Sequence, residues 1–341
     1  MIKRSENLNI LITGGNGFIG SHTIVSLREH YPLAQLVIAD NLTNSTLETF
    51  ATLKKLVEEG IELYDIDICN EESVASLFHN YSFDAIIHFA ALKAVGESVE
   101  KPLKYYRNNL IGTLNLVKYC VKYNVKKFVF SSSATVYGNG ESPMLESHSL
   151  LPTSNPYGET KAMCERILID IANANPDFCV SILRYFNPIG AHESGLIGEA
   201  PSGLPNNLMP YITKVAKGEL DTLYVFGQNY PTEDGTGVRD YIHVMDIADG
   251  HVAALEQLTP GVHIYNLGTG KGTSVLQLID TFEKVTGVKI PYKKVNPRPG
   301  DLATIYADAS KAERELSWKA KRSLEDMCKD AWNFEKNIVT I

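Results

Sequence analysis

The stretch from Asn9 to His22, NILITGGNGFIGSH, constrains the fold of this chain more than any other. The apolar run from Ile10 to Ile12 predicts a buried strand, and an apolar helical pattern follows a G-x-x-G-x-x-G spacing. Strand, glycine turn and helix in this order cradle a dinucleotide phosphate, because glycine lets the backbone come close and the helix N-terminus offers free N–H groups. The three glycines are Gly14, Gly17 and Gly20. A tight turn without a ligand is the alternative for the glycines alone.

A second predicted buried strand, LVIAD, ends in Asp40, twenty residues after the last glycine. This is the spacing of a carboxylate that binds the adenosine ribose. Its negative charge would repel a 2′-phosphate, so the sequence favours NAD over NADP. An aspartate that caps a helix or a turn is the alternative.

Composition narrows the classes of partner. The net charge of −8 over 341 residues argues against nucleic acid or an anionic membrane surface as the main partner. No stretch approaches the length of a transmembrane span, and the first residues lack the apolar run of a signal peptide. The five cysteines are scattered without C-x-x-C spacing, which favours reduced thiols in a cytoplasmic protein over disulfides or a zinc site.

Strand and helix patterns alternate through the first half of the chain, which predicts an α/β fold with a doubly wound parallel Rossmann-type sheet. Further strands are predicted at 61–67, 83–90, 127–133 and 179–186, and helices at 71–79, 98–123 and 157–173. The helix from Ser98 is read as continuous, with Pro102 tolerated in its first turns. Ligands in such folds bind at the carboxyl ends of the strands.

After Phe186 the pattern changes to glycines, prolines and short elements. We therefore predict an NAD-binding Rossmann domain over 1–186 and a smaller α/β domain over 187–341 that mainly binds substrate. A strand and a helix of the second half could rejoin the main sheet.

The pair Tyr157 and Lys161 in YGETK is the sharpest chemical signal. Tyrosine and lysine four residues apart share one helix face, and a nearby ammonium lowers the pKa of a phenol. Lowering that pKa from about 10 to about 7 requires roughly 4 kcal/mol, which one lysine in a low-dielectric pocket could supply with help from the positive nicotinamide of NAD. The phenolate can then accept a proton from a sugar hydroxyl while hydride leaves the same carbon. By itself Y-x-x-x-K marks only a helix face, but here it follows a dinucleotide loop and a strand ending in Ser133.

For other polar residues, a purely structural role is an alternative to a role in catalysis or binding. The hydroxyl of Ser133 can relay or orient a proton, or it can cap the next turn. Thr135 and Tyr137 follow it and could line a sugar pocket. His88 lies inside an apolar strand, where a satisfied core histidine is expected, and the histidines show no metal-ligand spacing.

TGGNGFIG, Ser133 and YGETK together resemble the extended short-chain dehydrogenase/reductases. Longer strings, found from about 8 to 332, resemble the branch of that family that epimerises UDP-sugars at C4: HFAALKAVGESV, SSSATVYG, LRYFNPIGAH, PNNLMPYI, YPTEDGTGVRDYIHV and YNLGTG. The resemblance implies an isomerase that interconverts UDP-galactose and UDP-glucose. The reaction would pass through a 4-keto intermediate by transient hydride transfer to bound NAD.

The resemblance also implies roles for single residues. Tyr157 would be the base, Lys161 its electrostatic partner and Ser133 the bridge to the sugar. Residues expected to hold NAD, besides the three glycines and Asp40, are Phe18, Ile19, Asn41, Leu42, Thr43, Asn44, Ser45, Asp67, Ile68, Phe89, Ala90, Ala91, Lys93, Asn108, Ser133, Tyr157, Lys161 and Phe186. Residues expected to bind the UDP-sugar are Ser133, Thr135, Tyr157, Asn187, Asn207, Leu208, Tyr224, Val225, Phe226, Arg239, Arg298 and Ile305. Guanidinium groups suit a diphosphate because they make bidentate contacts, although each arginine could instead form a surface ion pair.

Two further expectations rest on the resemblance. Ile305 stands where a bulky tyrosine would face the sugar C2 substituent, which predicts room for an N-acetyl group; a slip of one position would put Tyr306 there instead. A homodimer is expected through a four-helix bundle of helices 98–123 and 157–173, with contributions from Tyr105, Leu110, Leu114 and Val117.

Other reactions on the same scaffold remain open at this stage. A dehydratase of the family carries an acidic pair just after the active-site hydroxyl, where this chain has Ala134 and Thr135. A decarboxylase is a further possibility, an NADPH reductase is disfavoured by Asp40, and a non-catalytic nucleotide-sugar sensor usually lacks the tyrosine or the lysine.

Overall fold

The computed structural model describes residues 7–201, 203, 205–297 and 301–338. Its strands are β1 (Asn9–Thr13), β2 (Gln35–Asp40), β3 (Ile61–Asp65), β4 (Ala85–His88), β5 (Lys127–Ser133), β6 (Cys179–Tyr185), β7 (Asn187–Ile189), β8 (Leu223–Phe226), β9 (Val238–Arg239), β10 (Tyr241–His243), β11 (Gly261–Leu267), β12 (Thr273–Ser274), β13 (Tyr292–Val295) and β14 (Thr304–Ile305). Its helices are α1 (Phe18–His30), α2 (Leu47–Val57), α3 (Glu71–Asn80), α4 (Val95–Glu100), α5 (Pro102–Tyr123), α6 (Pro156–Ala174), α7 (Leu208–Lys217), α8 (Val244–Glu256), α9 (Val275–Thr286), α10 (Ser310–Leu316) and α11 (Leu324–Asn337).

A parallel seven-stranded sheet organises the molecule, in the order β3-β2-β1-β4-β5-β6-β11. Its strands are apolar on both faces because helices cover both sides. Ile10 and Ile12 of β1 pack into one core cluster, and Leu11 between them packs into the other. The strand order reverses between β1 and β4, which is where ligands bind in such sheets.

The last strand of this sheet, β11, comes from the second half of the chain and pairs with β6 from Gly261 to Leu267. Helix α8 packs against α1, and the Ser26 hydroxyl donates a 2.8 Å hydrogen bond to Asp249. The smaller region has its own core, built by α7, α9, α11 and β8, and β8 pairs with β13.

The predicted continuous helix over 98–123 is wrong at its start. It consists of α4 and α5, separated at Lys101, whose backbone is non-helical (φ −131°, ψ 57°). The cause is Pro102, which disfavours helical geometry in the residue before it and begins α5 as its first residue. The strands β3 and β4 are also shorter than the predicted 61–67 and 83–90.

Helix α6 begins where its sequence allows. The Asn155 side chain accepts a 2.9 Å hydrogen bond from the Gly158 N–H, and Pro156 is the first helical residue. Tyr157 therefore lies in the first turn and Lys161 one turn later. No described helix is long and apolar enough to cross a membrane.

Candidate active site

The glycine turn after β1 packs closely against the loop that follows β4. Gly14 has φ +66°, and a Cβ there would lie 2.7 Å from the Ala90 backbone nitrogen. Gly17 caps α1 without a side-chain hydrogen bond, and the first turn holds no acidic residue. Helix α1 thus presents uncapped N–H groups, and Phe18, Ile19 and Gly20 form its first turn.

Asp40 lies at the carboxyl end of β2 and is almost fully buried. Its carboxylate accepts hydrogen bonds from the Asn16 N–H (3.1 Å), the Leu42 N–H (3.0 Å) and the Ser45 hydroxyl (3.0 Å). Burial raises the pKa of Asp40, and these hydrogen bonds oppose the shift. The carboxylate also shapes the loop 41–45, where Leu42 is held at φ +54°.

A second sign of a ligand lies beside this carboxylate. The buried Asn16 donates from Nδ2 to the Thr46 carbonyl (2.7 Å), but its Oδ1 has no protein partner. Buried amide oxygens are normally hydrogen-bonded, so this acceptor suits a hydroxyl-bearing ligand. The residues present therefore fit the dinucleotide that the sequence predicts.

The other predicted NAD contacts surround the same edge of the sheet. The Phe89 and Ala90 N–H groups both donate to the Thr13 carbonyl, which fixes the loop 89–91 against the glycine turn. Lys93 is exposed and pairs with Glu199 at 3.1 Å. Asp67 is exposed and Ile68 is buried between β3 and α3, and the Asn108 amide donates to Asn109 at 3.1 Å. Phe186 is buried directly after β6.

Tyr157 and Ser133 come from different elements, the first turn of α6 and the end of β5. A hydrogen bond from Ser133 favours the phenolate, but burial outweighs it and raises the pKa of Tyr157. The predicted lowering of this pKa by Lys161 together with the positive nicotinamide of bound NAD stays a prediction.

Lys161 is bound to strand β5. Its Nζ donates a 2.7 Å hydrogen bond to the Ser131 carbonyl and lies 4.8 Å from the centre of the Phe130 ring. Burial lowers the pKa of Lys161 to about 8, against the attraction of the Cys164 and Glu165 side chains. The ammonium is thus held against strand β5, and Tyr157 is not its hydrogen-bond partner.

A buried ion pair supports this strand, and the sequence analysis missed it. Arg184 on β6 donates to both oxygens of Glu165 on α6 (3.0 and 2.6 Å), and both side chains are at most 3% exposed. The Ser132 hydroxyl, next to Ser133, donates to the same carboxylate at 2.5 Å. Glu165 follows Lys161 by four residues, so a search of the α6 face for further charges could have found it.

His88 is a core residue, as predicted. It contacts the Thr13 hydroxyl through Nδ1 (2.7 Å) and the Thr113 hydroxyl through Nε2 (3.0 Å). Burial lowers its pKa to about 3, so the ring is neutral at physiological pH. Within the described parts of the chain no group of three metal-ligating side chains occurs.

The predicted nucleotide end of the substrate site lies on the smaller region. Asn207 caps α7, which begins at Leu208, and its amide donates to Glu199 at 2.6 Å. Arg239 on β9 lies 3.7 Å from Asp301, an acidic neighbour that the sequence analysis did not single out. The predicted partner Arg298 lies outside the described residues.

The side chains of strand β8 alternate between buried and exposed. Tyr224 and Phe226 are 46% and 38% exposed, and Val225 between them is buried in the core of the smaller region. Tyr224 and Phe226 are thus partly exposed aromatic side chains of the kind that stack on a flat base. The side chain of Val225 is buried, so its predicted contact with the ligand could come only from its backbone.

The predicted sugar end gathers around Phe186. A small cluster packs Phe186 with Tyr137, and Ile305 lies partly buried against it. The Thr135 hydroxyl donates to the Ser133 oxygen at 3.0 Å, and Asn187 is exposed at the start of β7. Tyr306, the alternative wall residue, lies toward Gly272 instead.

The similarity of this chain to known proteins agrees with this geometry. A family model described as GDP-mannose 4,6 dehydratase matches residues 11–331. The UDP-glucose 4-epimerase of Bacillus subtilis is 53% identical over 333 residues, which make up 97% of this chain and 97% of that protein. The chain belongs to the UDP-glucose 4-epimerase family.

Solved structures of the UDP-glucose 4-epimerase family show the same fold. The enzyme from Bifidobacterium longum, in complex with NAD+ and UDP, matches with a TM-score of 0.93 and 49% identity, covering 96% of this chain and 98% of that one. The UDP-Glc/GlcNAc 4-epimerase from Campylobacter jejuni matches with a TM-score of 0.84 and 38% identity, covering 97% and 100%. The predicted membership of the extended short-chain dehydrogenase/reductases and the predicted Rossmann-type fold are both confirmed.

Proposed function

We propose that this protein is a UDP-glucose 4-epimerase that interconverts UDP-galactose and UDP-glucose with NAD bound throughout. The observation that carries the proposal is the identity of 53% to a UDP-glucose 4-epimerase over nearly the whole chain. A tyrosine, a lysine and a serine at the carboxyl edge of a dinucleotide-type sheet supply the matching chemistry. The similarity to UDP-glucose 4-epimerases confirms the reaction that the sequence predicts.

NAD, when bound, supplies the hydride acceptor and donor for the sugar C4 carbon. The residues proposed to hold it are the glycine turn, the α1 N-terminus, Asp40 with its loop 41–45, and the loop 89–93. The uncapped α1 N-terminus suits its diphosphate and the Asp40 carboxylate suits its adenosine ribose. We assign residues 1–186 mainly to this task and residues 187–341 mainly to the UDP-sugar.

Tyr157 is proposed as the base that takes the proton of the sugar 4-hydroxyl and later returns it. Ser133 orients that hydroxyl, because its own hydroxyl reaches both Tyr157 and Thr135. Lys161 supplies a buried positive charge that favours the phenolate. Burial raises the pKa of Tyr157, and the positive charge of the nicotinamide, when NAD is bound, would help Lys161 to oppose that shift.

In this reaction the nucleotide must be held firmly and the sugar must be held loosely. The 4-keto sugar must turn over so that hydride can return to the other face, while the UDP stays anchored. Arg239, Arg298 and Asn207 are proposed to hold the diphosphate, and Tyr224 and Phe226 the uracil. The small polar side chains near Ser133 make only weak contacts with the sugar, which permits rotation.

The experiment is to incubate the purified protein with UDP-galactose, without added cofactor, and to quantify UDP-glucose. Turnover supports both the epimerase and a retained NAD. If only added NAD restores turnover, the chemistry stands and the retained cofactor does not. If the folded protein forms no UDP-glucose in either condition, the proposal is contradicted.

A dehydratase is the second function to weigh, since the matching family model is described by one. Elimination of water beside a ketone needs an acid and a base next to the active-site hydroxyl. Ala134 and Thr135 occupy the two positions after Ser133, and neither can titrate in the neutral range. We therefore favour epimerisation.

We also propose that UDP-N-acetylglucosamine is accepted, because Ile305 leaves more room than a tyrosine at the C2 wall. Replacing Ile305 by Tyr is expected to lower kcat/KM for the N-acetylated substrate at least tenfold and to leave UDP-galactose within threefold. Side-by-side kinetics of the two substrates measure this. Tyr306→Phe is the matched control. Equal losses of kcat/KM for both substrates in Ile305→Tyr would contradict the proposal. So would the absence of activity on the N-acetylated substrate in the unaltered protein.

A homodimer is proposed through α5 and α6, with a corrected set of contacts. Tyr105 and Val117 are buried within the protomer and cannot face a partner, whereas Leu114 is 47% exposed. Leu103 (83% exposed) and Val121 (45%) lie on the same α5 face at spacings of 11 and 7 residues.

Sedimentation at micromolar concentration tests this. We expect a dimer, and a monomer for the double variant Leu103→Glu with Leu114→Glu, because charges on an apolar helix face prevent its burial. Leu33→Glu, at an exposed leucine elsewhere, should stay dimeric. A monomeric unaltered protein would contradict the proposal. We also propose a cytoplasmic location, which the five unpaired cysteines support.

A further inference from the structure

Asp240 is a fully buried carboxylate between β9 and β10. Its Oδ1 accepts from the N–H and the hydroxyl of Thr269 (2.8 and 2.6 Å). Its Oδ2 accepts from the N–H groups of Gly270 (3.0 Å) and Ala307 (3.1 Å). A buried charge that accepts only backbone and hydroxyl donors must stay fully bonded to be tolerated.

The backbone of the same residue makes two more links. Its N–H donates to the Ile305 carbonyl at 3.0 Å, and its carbonyl accepts from the Asn187 N–H at 3.0 Å. Arg239 precedes it directly. One residue therefore connects the proposed diphosphate contact, one proposed sugar contact and the proposed C2 wall.

The neighbouring glycine fits this arrangement. A Cβ on Gly268 would lie 2.6 Å from Asp240 Oδ2 and 2.7 Å from the Ala307 Cβ. The turn 268–270 can thus close on the carboxylate only with glycine at that position. The turn is built around the carboxylate, and both lie beside the segment that carries Ile305.

We propose that Asp240 is a positioning residue for the UDP-sugar site: its carboxylate ties the turn 268–270 and the segment 305–307 to the strand of Arg239, and so sets where the nucleotide and the C2 wall lie. The inference rests on the proposed function. The carboxylate makes no hydrogen bond to the NAD-side elements β1, β2, β4 or α1. Its loss should therefore affect the UDP-sugar and not the cofactor.

Asp240→Asn tests the proposal with almost no change in size. The amide keeps one acceptor oxygen and places two N–H donors against backbone N–H groups, so one set of links breaks in either orientation. We expect the Kd for UDP, measured by calorimetry on the NAD-containing protein, to rise at least tenfold. The KM for UDP-galactose should rise with it while kcat stays within threefold, and the NAD content should be unchanged.

The control is Asp326→Asn, which changes a carboxylate that accepts from the N–H and hydroxyl of Ser323 in the same half of the chain. It should leave the Kd for UDP unchanged. Gly268→Ala is the second variant, since its methyl group displaces the Asp240 carboxylate without altering a charge. It decides the question if Asp240→Asn does not fold.

A Kd within twofold of the unaltered protein in the folded variants overturns the proposal. So does a parallel loss of UDP binding, NAD and melting temperature, since that is the signature of a merely structural carboxylate. The ratio of variant to unaltered Kd is read independently of turnover. Failure of the epimerase assay in the unaltered protein would thus be recognised as failure of the proposed function, and not of this inference.

Discussion

Replacing Tyr157 by Phe is expected to lower kcat for UDP-galactose by about 10²- to 10⁴-fold, the usual contribution of a positioned acid–base group. The substitution removes only the phenol oxygen, which is the atom proposed to carry the proton. The KM should change little, because the UDP is anchored by residues of the smaller region. Steady-state kinetics at saturating substrate measure this effect.

Tyr64→Phe is the matched control. Its hydroxyl contacts Glu62 and Tyr81 at the outer strand of the sheet, four strands from β5, which carries Ser133, and kcat should not change. A Tyr157→Phe variant that kept a tenth or more of the original kcat would remove the tyrosine from the mechanism.

Replacing Glu165 by Gln is expected to destabilise the protein by about 3–5 kcal/mol, the usual cost of leaving a buried charge without its partner. The stranded charge is Arg184, which donates to both Glu165 oxygens and is 3% exposed. Glu165 also raises the pKa of Lys161. Its loss should therefore shift the alkaline limb of the kcat profile to lower pH, because Lys161 gives up its proton sooner.

Urea denaturation of equally NAD-loaded samples measures the stability. Glu159→Gln is the matched control on the same helix, since it breaks a 2.8 Å pair with Arg166 in which the arginine is 55% exposed and the glutamate 33%. Such surface pairs contribute about 0–1 kcal/mol. Similar losses in the two variants would contradict a special role for the buried pair.

The sequence was most informative where chemistry and local geometry coincide. Gly14, Asp40 and the first turn of α6 could all be predicted, because a glycine turn, a strand-end carboxylate and an asparagine cap are read from neighbouring residues. The break at Lys101 was readable in principle, since the residue before a proline avoids helical geometry.

Long-range contacts were not accessible in this way. The Lys161 ammonium bonds to a carbonyl of β5, 30 residues away in sequence, and the pattern Y-x-x-x-K alone does not reveal that partner. Asp240 meets Ala307 across 67 residues. Tyr105 and Val117 share their helix with exposed residues, and only the packing of α5 decides which face is buried.

One measurement tests the central claim most directly: conversion of UDP-galactose carrying deuterium at C4, in unlabelled water and without added cofactor, followed by NMR. The account predicts UDP-glucose with the deuterium retained at C4, because hydride leaves and returns within one closed site. Loss of the deuterium to water, a dehydrated sugar as product, or no conversion by the folded protein would contradict it.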